Sequence, residues 1–161
     1  MLGQDSEMLQ MFLEEANEHL SNLEPDLLCL EKNMDNPDSE LINRIFRAVH
    51  SLKGAAGFFG FKNITNLSHV MENLLSLVRD GKLKPHSDMV TSLLDGTDKL
   101  MSMISDIDDS ESIEIAENLE ILNMMISGKP ESEKKKLQIK SVEIDSLPQK
   151  IAKEFEIEVG T

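Results

Sequence analysis

The stretch Asn36-Pro37-Asp38-Ser39-Glu40-Leu41-Ile42-Asn43-Arg44-Ile45-Phe46-Arg47-Ala48-Val49-His50-Ser51-Leu52-Lys53-Gly54-Ala55-Ala56-Gly57-Phe58-Phe59-Gly60-Phe61 decides the fold. Its apolar residues return at Leu41, Ile45, Val49, Leu52 and Ala56, the three-and-four spacing of a helix buried along one stripe. Asn36 is expected to cap this helix, with Pro37, Asp38 and Glu40 in the first turn and Gly60 closing it. His50, Lys53, Gly54 and Gly57 share a second face, at i, i+3, i+4 and i+7, which is not the apolar one. A glycine in a helix costs about 1 kcal/mol relative to alanine, so two on one surface need a reason. A bare backbone stripe beside a histidine lets a partner surface or a phosphoryl group come close.

Outward from this helix the same punctuation repeats. A first helix is expected from about Ser6 to Lys32, with Leu9, Phe12, Leu13, Ala16, Leu20, Leu23, Leu27 and Leu30 inward. A third starts near Asn63, turns Ile64, Leu67, Val70, Met71, Leu74, Leu75 and Val78 inward, and stops at Gly81. A fourth follows Pro85 and runs to about Ile107. Ser110 is expected to cap a fifth, which carries Ile113, Ala116, Leu119, Leu122 and Ile126 and ends at Gly128 and Pro130. Short connections favour antiparallel neighbours, so residues 1–128 are expected to form an all-α, antiparallel up-and-down four-helix bundle with a fifth, C-terminal helix. Residues 129–161, with Lys134, Lys135 and Lys136 ahead of a partly alternating stretch, are expected to be a linker or tail that can include the truncated start of a following region, with a strand pairing elsewhere as the alternative.

The chain has 161 residues, 16 Lys and Arg against 30 Asp and Glu, and a net charge of −14, which argues against binding nucleic acid or an anionic membrane. The first residues are polar and acidic, and no apolar run approaches the roughly 18–20 residues that span a bilayer, so neither signal peptide nor membrane insertion is expected. A single cysteine, Cys29, excludes a disulfide framework and a thiolate-rich metal site and points to a reducing, cytoplasmic setting. Ten methionines, 4% aromatics and no Trp or Tyr suit packed helices. The charge is uneven. Every residue from Leu41 to Met71 is neutral or basic, with Arg44, Arg47, Lys53 and Lys62 inside and Glu40 and Glu72 the nearest acids. Such a window in an acidic domain is a place for something negative.

On the third helix His69, Glu72, Asn73 and Ser76 repeat the i, i+3, i+4, i+7 pattern. If the second and third helices form a hairpin turning near Phe61, His50 lies level with Glu72 and Lys53 with His69, and Glu72 is the one acid that reaches the middle of the basic window. A carboxylate accepting the Nδ1 proton of His50 would fix the tautomer and leave the Nε2 lone pair outward and more basic. Lys53, one turn along, would neutralise charge arriving on Nε2. A phosphoryl group fits that description, and its phosphorus–nitrogen bond would transfer readily.

The motif His50-Ser51-Leu52-Lys53-Gly54-Ala55-Ala56-Gly57 resembles the HxxKGxxG signature of histidine phosphotransfer (HPt) domains, more narrowly those of CheA-type chemotaxis sensor kinases. Phe12-Leu13-Glu14-Glu15-Ala16, Ile45-Phe46-Arg47-Ala48-Val49 and His69-Val70-Met71-Glu72-Asn73-Leu74-Leu75 extend the resemblance over about residues 5–127. It implies that His50 is the phosphoacceptor, taking the γ-phosphoryl of ATP from a separate histidine kinase catalytic domain and passing it to an aspartate of a response regulator receiver domain. It also implies that Glu72 orients the histidine, that Lys53 and His69 complete the polar network, and that ATP and Mg²⁺ belong to the partner domains, with no cofactor bound here. Gly54 and Gly57 form the close-approach surface, and Arg47 and Phe58 are candidate docking residues; Phe58 departs from the smaller or polar residue of the family pattern. No asparagine- and glycine-rich ATP box and no GxxxxGK[ST] is visible, so the chain reads as substrate and carrier, not as an enzyme on its own.

Other readings remain open at this level: a free-standing phosphorelay carrier, or a helical scaffold that binds regulators without chemistry. A carboxylate-bridged metal bundle is disfavoured because the residues three before each histidine are Ala16, Arg47, Asn66 and Leu83. His19 and Cys29 stand about 15 Å apart on one helix, too far for a nucleophilic pair. Cys29 is expected in the core, His19 and His86 at the surface, and the methionines in packing.

Overall fold

The computed structural model describes the backbone of residues 2–128 and the side chains of residues 6–128. The expectation of a linker or tail at 129–161 lies outside the described residues. Helix α1 spans Leu2–Lys32, α2 Ser39–Phe59, α3 Lys62–Arg79, α4 Ser87–Ser105 and α5 Ala116–Ser127, with a short 3₁₀ helix at Ile107–Ser112 before α5. Among the described residues there is no strand. Each of the first four helices packs on its chain neighbour and α1 closes the ring against α4, which is the expected antiparallel four-helix bundle with a fifth helix appended.

The apolar stripes meet as the periodicity demands. Leu20, Leu23, Leu27 and Leu30 of α1, Ile45, Val49, Leu52 and Ala56 of α2, and Ile64, Leu67, Met71 and Leu74 of α3 are all buried. Helix α1 runs through Pro25, which costs about 3 kcal/mol in a helix interior. Leucines buried on both sides of it, each worth about 1.5–3 kcal/mol, outweigh that. Phe12 meets Phe59 at 5.2 Å and Phe61 at 5.7 Å between ring centroids, pinning α1 to the turn between α2 and α3. Gly60 makes that turn, with φ of 80° that a side chain would resist; its N–H donates to Gly57 and that of Phe61 to Ala56, at 3.1 and 3.0 Å. The turn is so short that the polar stripes of α2 and α3 come to lie side by side.

Several local expectations are corrected. The cap of α2 is Asp38, not Asn36: its side chain accepts the N–H of Glu40 at 3.0 Å from an extended backbone, so the helix starts two residues later. The fourth helix ends at Ser105. Ser110 does not cap the fifth; it lies in the 3₁₀ turn with its hydroxyl buried and without a partner among the described residues, and the N–H of Ala116 is instead taken by the Glu114 carboxylate at 2.9 Å. Asn63 holds this 3₁₀ segment by donating its amide to the carbonyls of Ser110 and Ile113. Ala116, expected inward, is exposed, and Ile115 takes the buried place.

Cys29 is exposed, not in the core, because it stands about 200° around α1 from Leu27 and falls on the opposite side from the leucine stripe. His19 is half-buried, not a surface residue; it lines a groove together with Arg44, Arg47 and Ala48 of α2, and its Nε2 is covered with no hydrogen-bond partner among the described residues. His86 is exposed as expected and also caps α4, its Nδ1 accepting the N–H of Met89 at 3.3 Å.

Candidate functional site

His50 sits in the fourth turn of α2 with its side chain 60% exposed. Glu72, on α3, is nearly buried, at 10% side-chain exposure, among the apolar residues that α3 turns inward. Burying a carboxylate is costly unless it is paired, and this one is paired twice. Oε2 meets Nδ1 of His50, and Oε1 meets the ammonium of Lys53 at 2.5 Å. Burial pushes the Glu72 carboxyl up, but the hydrogen bonds and charges of Lys53 and His50 together outweigh it and hold the group below the usual carboxylate range.

An ionised carboxylate only accepts, so the proton of this contact belongs to the histidine, on Nδ1. In the neutral ring Nε2 then carries the lone pair. Glu72 thus sets the tautomer, and Lys53 brings a positive charge beside the histidine without occupying the lone pair.

The expected level pairing holds for His50 with Glu72 and fails for Lys53 with His69. The long stem of Lys53 reaches the Glu72 carboxylate instead, and His69 lies exposed on α3 without a hydrogen bond or ion pair among the described residues. The basic window also contracts on folding. Arg44 is taken by Asp26 of α1 through two contacts of 3.0 Å and Lys53 by Glu72, which leaves Arg47 and Lys62 without an acidic partner among the described residues.

Gly54 and Gly57 are both exposed. Among the described residues, a Cβ built at Gly54 meets nothing within 4 Å, and one at Gly57 only touches Thr65 at 3.9 Å. Nothing inside the fold therefore requires glycine at either place. Phe58 is 71% exposed with its ring edge-on to Phe59, and it borders an apolar groove of about 560 Å³ between α1 and α2, lined also by Met8, Met11 and Ala55 and edged by Glu14, Glu15 and Glu18.

The Hpt domain family model matches residues 7–110. The chain belongs to the Hpt domain family. This Hpt domain is 41% identical over 100 residues to the chemotaxis protein CheA of Listeria monocytogenes, an alignment covering 62% of the chain and 16% of that relative. It therefore spans about a sixth of the length of the curated relative it matches. Among solved structures it is similar to the CheA phosphotransferase domain from Thermotoga maritima, at 42% identity and a TM-score of 0.58, covering 63% of this chain and 94% of that one. The phosphorylated P1 domain of CheA3 in complex with CheY6 from R. sphaeroides shares the fold at 24% identity, with a TM-score of 0.65 and coverage of 77% and 98%.

One contact of the Hpt domain's histidine, and a second contact behind it, escaped the sequence reading. The ring of Phe46 lies under that of His50, with centroids 5.9 Å apart and planes 10° from parallel, and the guanidinium of Arg79 stands 4.2 Å from the centroid of Phe46. The i, i+4 spacing of Phe46 and His50 was the available signal. No helix among the described residues is long and apolar enough to cross a membrane.

Proposed function

We propose that residues 1–128 are the phosphoacceptor and phosphocarrier domain of a CheA-type chemotaxis kinase. His50 takes the γ-phosphoryl of ATP from a separate histidine kinase catalytic domain and gives it to an aspartate of a response regulator. The observation that carries this reading is the exposed imidazole whose Nδ1 proton is held by Glu72, with bare backbone at Gly54 beside it. The relative from R. sphaeroides, solved phosphorylated and with CheY6 bound, supports the second half of the cycle.

In the first step the Nε2 lone pair of neutral His50 attacks the γ-phosphorus, the bond to the ADP oxygen breaks, and ADP leaves with that electron pair. No proton is released. The ring keeps its Nδ1 hydrogen and becomes a phosphorylated imidazolium, whose new positive charge faces the Glu72 carboxylate, while Lys53 offsets the negative oxygens. In the second step a carboxylate oxygen of the regulator attacks phosphorus, the N–P bond breaks, and its electrons return to Nε2 as a lone pair. Because the leaving nitrogen belongs to an imidazolium, the bond breaks easily, and the site passes phosphate on without storing it.

Gly54 and Gly57 let the partner's reacting atoms approach, and Arg47 and Phe58 flank that approach as docking residues, one charged and one apolar. His69 adds a second imidazole on the α3 side. ATP and Mg²⁺ are held by the partner domains in this reading, the setting is cytoplasmic, and catalysis of phosphorylation resides outside this domain. Incubation with the catalytic fragment of a CheA-type kinase, ATP and Mg²⁺ is expected to label the chain once with acid-labile, base-stable phosphate. Labelling that persists in His50→Gln refutes the site, and regulator binding without any labelling of the wild type would make the chain a scaffold.

A further inference from the structure

Glu72 holds His50 at one atom only. A single hydrogen bond fixes which nitrogen carries the proton and limits rotation of the ring, but it tolerates tilting of the imidazole about that contact, and the Nε2 lone pair lies in the ring plane and tilts with it. A nucleophile productive toward phosphorus needs that lone pair in line with the bond that breaks. The plane of the ring therefore requires a second restraint.

Phe46 supplies a flat surface at the right place. It stands one turn before His50 on α2, half-buried and packed against the core, and its ring runs within 10° of parallel to the imidazole at 5.9 Å, an offset stack. Phe46 is itself held from the neighbouring helix, since Arg79 in the last turn of α3 sets its guanidinium 4.2 Å from the Phe46 centroid. Glu72 and Arg79 both belong to α3 and reach His50 from two directions: one directly at Nδ1, the other through the ring of Phe46.

We propose that Phe46, anchored by Arg79, is a positioning residue that sets the plane of the His50 imidazole and thereby aims the Nε2 lone pair at the incoming phosphorus. The proposal rests on His50 being the phosphoacceptor. Its consequence is a division of labour: Glu72 governs tautomer and charge, Phe46 governs direction.

The test uses the full chain with Phe46→Leu, Phe46→Tyr and Arg79→Gln, and Phe46→Met in reserve should the leucine variant lose its cooperative melt. Phosphorylation by a CheA-type kinase fragment is followed with the chain as varied substrate. Phe46→Leu is expected to lower kcat about two- to tenfold with KM unchanged, Phe46→Tyr to restore it, and Arg79→Gln to give a smaller fall. In parallel, the carbon-bound ring protons of His50 are expected to move in the NMR spectrum of Phe46→Leu and to stay near their wild-type positions in Phe46→Tyr, while the ring nitrogens keep the same tautomer. A wild-type kcat in Phe46→Leu overturns the positioning role alone, as does a change confined to KM, which would make Phe46 a docking residue. Absence of labelling in the wild type overturns the phosphoacceptor reading itself, a different result from either of these.

Discussion

Replacing Gly54 by alanine separates stability from phosphotransfer. A Cβ at this position has no neighbour within 4 Å among the described residues, whose positive-φ glycines are Gly60, Gly81 and Gly128 and not Gly54. The substitution is therefore strain-free in the folded domain and removes freedom from the unfolded chain, a gain of about 0.5–1 kcal/mol. For a domain of this size that raises the melting temperature by roughly 2–4 °C. The added methyl projects from the α2 face that carries His50 one turn earlier, where the proposed reaction brings a partner's reacting atoms to bonding distance. A misplacement of about 1 Å at a reacting centre costs up to about a hundredfold, so kcat/KM for phosphorylation is expected to fall by tenfold or more. A thermal melt by circular dichroism and a phosphorylation time course on the same preparation suffice as assays. A variant that melts higher and is phosphorylated at the wild-type rate refutes the argument that the glycine serves close approach, and one that melts lower refutes the claim that nothing inside the fold needs it.

The same substitution at Gly96 should have the opposite effect on stability: its Cβ would stand 2.8 Å from the sulfur of fully buried Met71, and overpacking of about 1–3 kcal/mol exceeds the gain in helix propensity, so the melting temperature should drop while labelling of His50 continues. Glu72→Ala should slow phosphorylation by roughly ten- to a hundredfold, the scale of a lost positioning partner, while the bundle still melts cooperatively; an unchanged rate means the tautomer argument is wrong. Acid should act through the same carboxylate. Its folded pKa lies below 4.5, so its contribution to stability is complete above about pH 4.5 and is lost as the pH falls through the lowered value, and the stability advantage of wild type over Glu72→Gln should shrink only in that acid range. Arg44→Ala, which opens the exposed pair with Asp26, should cost less than about 1 kcal/mol in a denaturant titration.

Which helices form and which faces they bury was legible in the sequence because both follow from spacing within one segment. Leu27 and Leu30 are buried and Gly60 closes α2 for reasons that the local pattern contains. Even the pairing of His50 with Glu72 could be read, since a short turn sets two helices in register. Smaller choices were less legible. Asn36 and Asp38 are equally good caps by residue type, and only the path of the chain around Pro37 puts the Asp38 carboxylate against the N–H of Glu40. Cys29 looked apolar because its neighbours are, though its angle around α1 faces it to solvent.

The sequence by itself therefore determined an acidic helical bundle, a histidine on a glycine-bared face and the carboxylate that meets it, because periodicity and motif spacing are local properties of a helix. Tertiary structure alone decided that Lys53 bonds Glu72 and not His69, that Asp26 neutralises Arg44, that His19 is covered, and that Phe46 and Arg79 stack toward the imidazole. Those contacts cross between helices or depend on side-chain rotamers. They are settled by which group a side chain can reach once the bundle has closed, and the order of residues along the chain does not specify that reach.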